Sequence, residues 1–213
     1  VQTCALPILK DEIASKYVRR YMMGEELINN IERWCLWLIE LDPKDVSKSK
    51  ELKSRLSSVA KFRADSKASS TQRMADTPHL FGQRSQPTSE YLAIPKVFSE
   101  SRQWATVARL GPEVIAGDKI YKCEDPDGFA FAMASSSMFI TWQKTVGGRL
   151  KSDPSFSNTL VWNNFPVPSI DEELRTQIIS AGQEIEECRE ELSGSLADIY
   201  NPLTMDKIGR AHV

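Results

Sequence analysis

Residues 169–199 read SIDEELRTQIISAGQEIEECREELSGSLADI, and this stretch carries the clearest structural pattern of the chain. Ser169, with Glu172 three residues later, predicts a capping box at the start of a helix. The apolar positions recur at spacings close to three and four, as expected for one helical face: Leu174, Ile178, Ala181, Ile185, Cys188, Leu192 and Ile199. Glutamates occupy the other face. The pattern predicts a long amphipathic helix that packs along one side.

The residues before this helix predict a mixture of strands and helices. Leu52, Leu56, Val59 and Phe62 share one face of a helix expected at about 46–65. A polar loop with a short helix near 71–75 is expected over 66–90, and a buried helix over the Ala- and Met-rich run 129–145. Short apolar runs between turn residues predict strands at 32–39, 91–97, 104–110, 119–123 and 159–165. The expected fold class is therefore α+β, a small mixed sheet with packed helices followed by a long C-terminal amphipathic helix.

Composition narrows the class of protein. The chain has 213 residues, of which 41% are hydrophobic and 26% are charged, as in soluble globular proteins. The longest nearly unbroken apolar run, 34–39, is too short to span a bilayer, and no signal peptide is visible. Four scattered cysteines without a Cys-x-x-Cys pair fit a reducing compartment and argue against a zinc site. We expect a cytoplasmic protein without a membrane partner.

Charge is segregated along the chain, although the net charge is only −2. Residues 44–109 contain 13 Lys and Arg against 6 Asp and Glu, whereas residues 171–207 contain 3 against 10. Local positive charge attracts a polyanion even when the total is near zero. A solvated surface with a basic bias accounts for the composition equally well. The stretch 147–152, GGRLKS, likewise fits either a phosphate-binding turn or an ordinary helix end.

The sequence contains no recognisable catalytic or cofactor motif. There is no Gly-x-Gly-x-x-Gly and no P-loop. Asn201-Pro202 is followed by Leu203, and Asn164-Phe165-Pro166 also lacks the Pro-Pro-aromatic sequence of amino-methyltransferases. His79 is expected to pack in a loop. We therefore expect no catalytic residue, no metal site and no cofactor within this chain.

Both ends of the chain resemble translated sequencing adaptor. Residues 208–213, IGRAHV, and residues 1–8, VQTCALPI, correspond to the two orientations of one such adaptor sequence. We expect these segments to lie outside the evolved protein, which was then cut on both sides.

Several blocks, in order, resemble MmeI-type single-chain restriction-modification enzymes. The run 33–38, RWCLWL, is similar to a strand of that family, and further similar blocks are PHLF (78–81), YLAIPKV (91–97) with SESR (99–102), SSSM (135–138) with Trp142, GGRLKSD (147–153), 157–168 and LADIYNP (196–202). Trp162 and Phe156 stand where the family usually has Tyr, and Ala105-Thr106-Val107 replaces a usual Tyr-Ile-Pro. The last departure bears on which base is read.

The resemblance implies a division of the chain and a function. Residues 9–40 would be the exit of an upstream methyltransferase domain, 41–168 the target-recognition domain, and 169–207 a C-terminal helical domain. The chain would recognise a specific sequence in double-stranded DNA within a site-specific adenine-N6 methyltransferase. The upstream methyltransferase domain of the same polypeptide would be its partner and would hold the S-adenosylmethionine and the catalytic motif.

The implied contacts divide into two sets. Phosphate binding is assigned to Lys61, Arg63, Arg84, Lys96, Arg149, Lys151 and Ser152. Base reading is assigned to Arg102, Gln103, Thr106 and Arg109. A different class of function stays open at this point, namely a non-catalytic interaction or specificity module that uses the acidic heptad helix to pair with another protein.

Overall fold

The computed structural model describes residues 8–212. Its helices and strands are, in chain order, α1 (Glu12–Ser15), β1 (Val18–Met22), α2 (Gly24–Asn29), β2 (Trp34–Leu36), α3 (Pro43–Lys48), α4 (Lys50–Ala64), α5 (Ser69–Gln72), β3 (Tyr91–Pro95), β4 (Ala108–Leu110), β5 (Ile115–Ala116), β6 (Ile120–Glu124), α6 (Phe129–Ser135), α7 (Ser137–Val146), β7 (Gly148–Leu150), β8 (Asp153–Ser155), a π-helix (Asn158–Trp162), α8 (Glu172–Glu191), α9 (Leu196–Ile199) and α10 (Asp206–Ala211). The content confirms an α+β fold. The chain divides into unit 1, which contains 32–85 and the residues up to Tyr21, and unit 2, which contains 22–31 and the residues from Gln86 onward.

Unit 1 is built around a helix with a small core. The Ser49 hydroxyl caps α4 by accepting a hydrogen bond from Leu52 N. Leu52 is fully buried with Ile8, Ala14 and Leu38, because these apolar side chains can leave water together only on the inner side of the helix. β1 and β2 pair antiparallel, with Arg19 opposite Cys35.

Unit 2 is organised by β3, which is buried along its whole length. β3 lies between β4 and β6, and both pairings are antiparallel. A strand in the middle of a sheet that is covered on both faces needs apolar side chains on both, and the sequence YLAIP supplies them. On one face of β3, Leu92 and Ile94 pack with Phe98 in the larger core. On the other face, Tyr91 and Ala93 belong to a smaller core.

Helices α6 and α8 approach each other unusually closely. A Cβ added at Gly182 of α8 would lie 2.7 Å from the Cβ of Ala132 of α6. Gly182 and Ile185 are the buried residues of α8. The inner face of the acidic helix is therefore already used within unit 2, which weighs against the pairing of that face with another protein.

Several predicted elements differ from those observed. The 129–145 helix is two helices, because Ser136 has extended backbone and its hydroxyl caps α7 at Phe139 N. The prediction of a strand at 159–165 is wrong, since the first of these residues lie in the π-helix Asn158–Trp162. The strand predicted at 104–110 is paired only over Ala108–Leu110.

The C-terminal helix also begins and ends differently from its prediction. Its cap is Asp171, which accepts from Leu174 N, and not Ser169. It ends at Glu191, so Ile199 belongs to the separate helix α9. Leu174, predicted on the apolar face, is exposed. Phe62 of α4, predicted on the apolar face, is exposed as well.

Residues 1–7 of the terminal segment predicted at 1–8 lie outside the described residues. At the other end, Ile208 is fully buried in the larger core of unit 2. Among residues 8–212, no helix is both long enough and apolar enough to cross a membrane.

Candidate nucleic-acid interface

The two strands β7 and β8 form an exposed hairpin that carries three of the predicted phosphate ligands. Gly148 pairs with Ser155 and Leu150 with Asp153, so that Lys151 and Ser152 form the two-residue tip. Lys151 adopts a left-handed conformation with φ 59°, which a two-residue hairpin turn requires. Arg149, Lys151 and Ser152 are all exposed. The GGRLKS stretch therefore begins with Gly147 as the C-cap of α7 and continues as the strand β7 and a hairpin turn.

Backbone hydrogen bonds fix the hairpin beside the end of β3. Phe98 N donates to Pro154 O at 2.9 Å, and Phe156 N donates to Lys96 O at 2.8 Å. The amide of the buried Gln143 donates to Ser155 O at 3.1 Å. Lys96 is thereby held next to the hairpin, with its Nζ 5.5 Å from the centre of the Tyr121 ring.

Glu100 competes for one cation of the hairpin. Arg149 Nη1 lies 3.4 Å from Glu100 Oε1 and donates to Ser152 O at 2.6 Å. Exposed ion pairs of this kind contribute little to stability, so an incoming phosphate can displace the carboxylate. Lys151 makes no side-chain hydrogen bond or ion pair within residues 8–212. Lys151 is thus the cation of the hairpin that is already available to a ligand.

The segment 99–107 contains three of the predicted base-reading residues and is clamped at three points. Arg102 Nη1 donates to Ala197 O at 2.9 Å, and Lys144 Nζ donates to Arg102 O at 2.8 Å. Arg189 Nη1 donates to Val107 O at 2.9 Å. We call 99–107, held by these three hydrogen bonds, the clamped loop. Its far end is buried, and Thr106 is only 3% exposed.

Within the clamped loop, Gln103 is placed differently from its neighbours. Gln103 is exposed, and its side chain makes no hydrogen bond to the rest of the described chain. The guanidinium of Arg102 is turned back to the protein, and burial lowers its pKa. Of the base-reading candidates, Gln103 is therefore the one that is presented to solvent with free donor and acceptor groups.

Arg109 is held by several groups of unit 2. It forms a salt bridge with Glu90 and donates to Asp125 O at 3.0 Å and to Pro126 O at 2.9 Å. Its Nη1 also lies 3.8 Å from Glu186 of α8. Base reading by Arg109 would require the release of these bonds.

In unit 1 the three predicted phosphate ligands have different surroundings. Arg63 donates to the carbonyls of Met74, Thr77 and Leu80 at 3.0, 2.8 and 2.8 Å. Burial lowers the pKa of Arg63, and its bonds hold the turn after α5. Lys61 and Arg84 are exposed. The structure thus gives Arg63 a structural role and leaves the other two facing solvent.

The donor groups and one open groove of the described chain bear on metal and cofactor binding. Among residues 8–212, no three His, Cys, Asp or Glu side chains converge as metal ligands. An open groove of about 300 Å³ on α7 is lined by Ser137, Met138, Thr141, Trp142, Thr145 and Pro166. It offers no carboxylate for the ribose or ammonium group of S-adenosylmethionine, so its residues do not fit that cofactor.

Lys144 and Arg189 hold the clamped loop, and the sequence did not reveal this contact. Each acts on a backbone carbonyl far away along the chain, 42 and 82 residues distant. A side chain that binds a remote carbonyl leaves no spacing pattern in the sequence. In the sequence, the glutamates around Arg189 indicated instead that this residue lies on an exposed acidic surface of the helix.

Comparisons with known proteins agree with this arrangement. Residues 5–169 match the family model described as MmeI, target recognition domain. DNA methyltransferase A of Bacillus subtilis (strain 168) is 33% identical over 189 residues, which cover 89% of this chain and 22% of that protein. The Type IIL restriction-modification enzyme MmeI, solved in complex with DNA, superposes with a TM-score of 0.90 at 35% identity, covering 97% of this chain and 28% of that one.

The chain therefore spans only about a quarter of the length of these two relatives. The family model covers the sheet of unit 2, the hairpin and the clamped loop, and it ends just before α8. By this match, the chain belongs to the MmeI target recognition domain family.

Proposed function

We propose that this chain recognises a specific sequence in duplex DNA as the target-recognition part of a longer site-specific adenine-N6 methyltransferase of a restriction-modification system. The observation that carries the proposal is the superposition of 97% of the chain on an enzyme solved with DNA. The exposed basic hairpin beside a rigid loop supports it, because duplex recognition needs cations for phosphates and fixed polar groups for bases.

The contacts are divided between the hairpin and the clamped loop. Lys151 and Ser152 at the tip bind phosphate, and Arg149 joins them when phosphate displaces Glu100. Lys96 contributes beside them, and Lys61 and Arg84 contribute from unit 1. Gln103 reads a base, since its amide can both donate and accept at the edge of an adenine. Arg63, Arg102, Thr106 and Arg109 shape the framework that presents these groups.

The rest of the parent polypeptide supplies the chemistry. Its upstream methyltransferase domain binds S-adenosylmethionine and transfers the methyl group to the target adenine. The groove on α7 does not fit that cofactor. The role of this chain is to place the duplex in register for the transfer.

Binding of the 213-residue chain to a mixed-sequence duplex tests the phosphate contacts. Affinity should fall steeply between about 50 and 200 mM salt, because each neutralised phosphate releases counterions. Lys151→Ala should make the log–log salt slope less steep by about 0.9. Lys207→Ala is the matched control, since it removes an exposed lysine that is already paired with Glu191 and should leave the slope unchanged.

Selection from a duplex library with a randomised centre tests base reading. Wild type should enrich a motif, and Gln103→Ala should relax one position of that motif while its salt slope stays that of wild type. Salt-independent binding by wild type, or an unchanged motif with Gln103→Ala, would contradict the respective assignment.

A further inference from the structure

The end of α4 and the short helix α5 form a bend that exposes an aromatic side chain. We call residues 61–73 the α4–α5 elbow. Phe62 has 75% of its surface exposed, although a phenylalanine on a helix usually turns toward the core. The elbow contains four cations and one carboxylate, Asp65. Lys61 and Lys67 make no side-chain hydrogen bond or ion pair within the part of the chain that the structure describes.

The elbow is held in one conformation. The three bonds of Arg63 to the carbonyls of Met74, Thr77 and Leu80 tie the last turn of α4 to the segment after α5. Gln72 Nε2 also donates to Ser66 O at 2.8 Å, which closes the connection between the two helices. Since this backbone is fixed on both sides, the exposure of Phe62 is a property of the fold.

The outward surface of α4 continues the same chemistry. Its one acidic residue, Glu51, is paired with Arg55 at 3.3 Å. The other exposed side chains of α4 before the elbow carry ammonium or hydroxyl groups, and none is a carboxylate: Lys50, Lys53, Ser54, Ser57 and Ser58. Ammonium and hydroxyl groups both donate to phosphate oxygens. Such a surface complements a polyanion.

We propose that the α4–α5 elbow is a second duplex DNA contact, in which Lys61 and Lys67 neutralise phosphates and Phe62 packs as an apolar wedge against bases in a groove. The proposal rests on the proposed function, which already assigns a phosphate to Lys61, and adds to it the contact of Lys67 and the aromatic wedge of Phe62. Apolar side chains that are flanked by cations unstack base steps in many DNA-binding proteins. Methylation of an adenine requires that the base leave the stack, which such a wedge facilitates.

The salt dependence of binding separates the two kinds of contact in the 213-residue chain. On a mixed-sequence duplex between about 50 and 200 mM salt, Lys61→Ala should reduce the log–log slope by about 0.9. Phe62→Ala should weaken binding by about tenfold at every salt concentration with no change of slope, because no counterion is involved. Phe62→Leu should keep most of the affinity, since leucine also serves as a wedge.

Leu203→Ala is the matched control, because Leu203 is 90% exposed and lies outside the elbow. Thermal unfolding should be the same in all these variants, which excludes loss of fold as the cause. If wild type binds and Lys151→Ala alters its slope, but the Lys61 and Phe62 variants bind like wild type, the elbow is not a DNA contact and faces another part of the parent protein. If wild type does not bind even at about 50 mM salt, the proposed function and the elbow proposal both fail.

Discussion

Arginines that look alike in the sequence have different surroundings in the structure. Arg63 and Arg109 bond mainly to backbone carbonyls and carboxylates of their own units, whereas Arg149 is exposed on the hairpin. The sequence predicted the hairpin cations and Gln103 as contact residues, and the structure leaves their side chains exposed. It could not separate Arg109 from them, because its hydrogen-bond partners lie 16 to 19 residues away along the chain and Glu186 is farther still.

Arg109→Ala should destabilise the chain. The substitution leaves the carbonyls of Asp125 and Pro126 and the carboxylate of Glu90 without their donor, which costs about 2 kcal/mol of unfolding free energy. Arg109→Lys should recover only part of the loss, because one ammonium cannot reach all three groups. Urea unfolding measures the effect. An unchanged midpoint combined with a relaxed DNA motif would instead support base reading by Arg109.

At the scale of elements, the sequence predicted the amphipathic helix, the buried β3 and the basic helix α4. It missed the break at Ser136, where the serine hydroxyl caps α7 inside an apolar run. It missed the π-helix because that segment depends on packing: Trp142 Nε1 donates to Val161 O at 3.0 Å, and Val161 is fully buried. A run of apolar residues shows only that a segment is buried. Which backbone conformation it adopts is decided by partners that are distant in sequence.

The contact of α8 with the clamped loop gives a prediction at this scale. Arg189→Ala should speed amide exchange around 105–107 by about tenfold, because Val107 O loses its charged donor. Arg175→Ala is the control on the same helix. It removes a 2.6 Å salt bridge to Asp127 and a ring contact with Phe129, neither of which touches the loop. Equal exchange in both variants would show that Arg189 does not position it.

For the molecule as a whole, unfolding should depend on pH through His212. Its Nδ1 is hydrogen-bonded to Ser135 O and its ring stacks on Trp104, and burial lowers its pKa from 6.5 to about 4. The unfolded chain takes up a proton near the ordinary value, whereas the folded chain does so only near the lowered one. Stability should therefore fall as the pH drops from about 6.5 to about 4, by at most about 3 kcal/mol.

The measurement is the difference in unfolding free energy between wild type and His212→Gln across that pH range. His79→Gln provides the control histidine. Parallel pH profiles for wild type and His212→Gln would contradict the prediction. His212 belongs to the terminal segment 208–213, whose expected origin as adaptor sequence stays a prediction and does not alter the contacts it makes here.

The bond from Arg189 to Val107 has a consequence for chimeras. The family match ends at residue 169, and a designer who transplants specificity between relatives would naturally cut there. Such a graft would include the Val107 carbonyl but not Arg189, which donates a hydrogen bond to it. It would also lack the Ala197 carbonyl, which accepts a hydrogen bond from Arg102. The transplanted loop would then depend on whether the host happens to supply equivalent groups. A segment that is to be exchanged between relatives should therefore extend through α9, with the junction placed after residue 200.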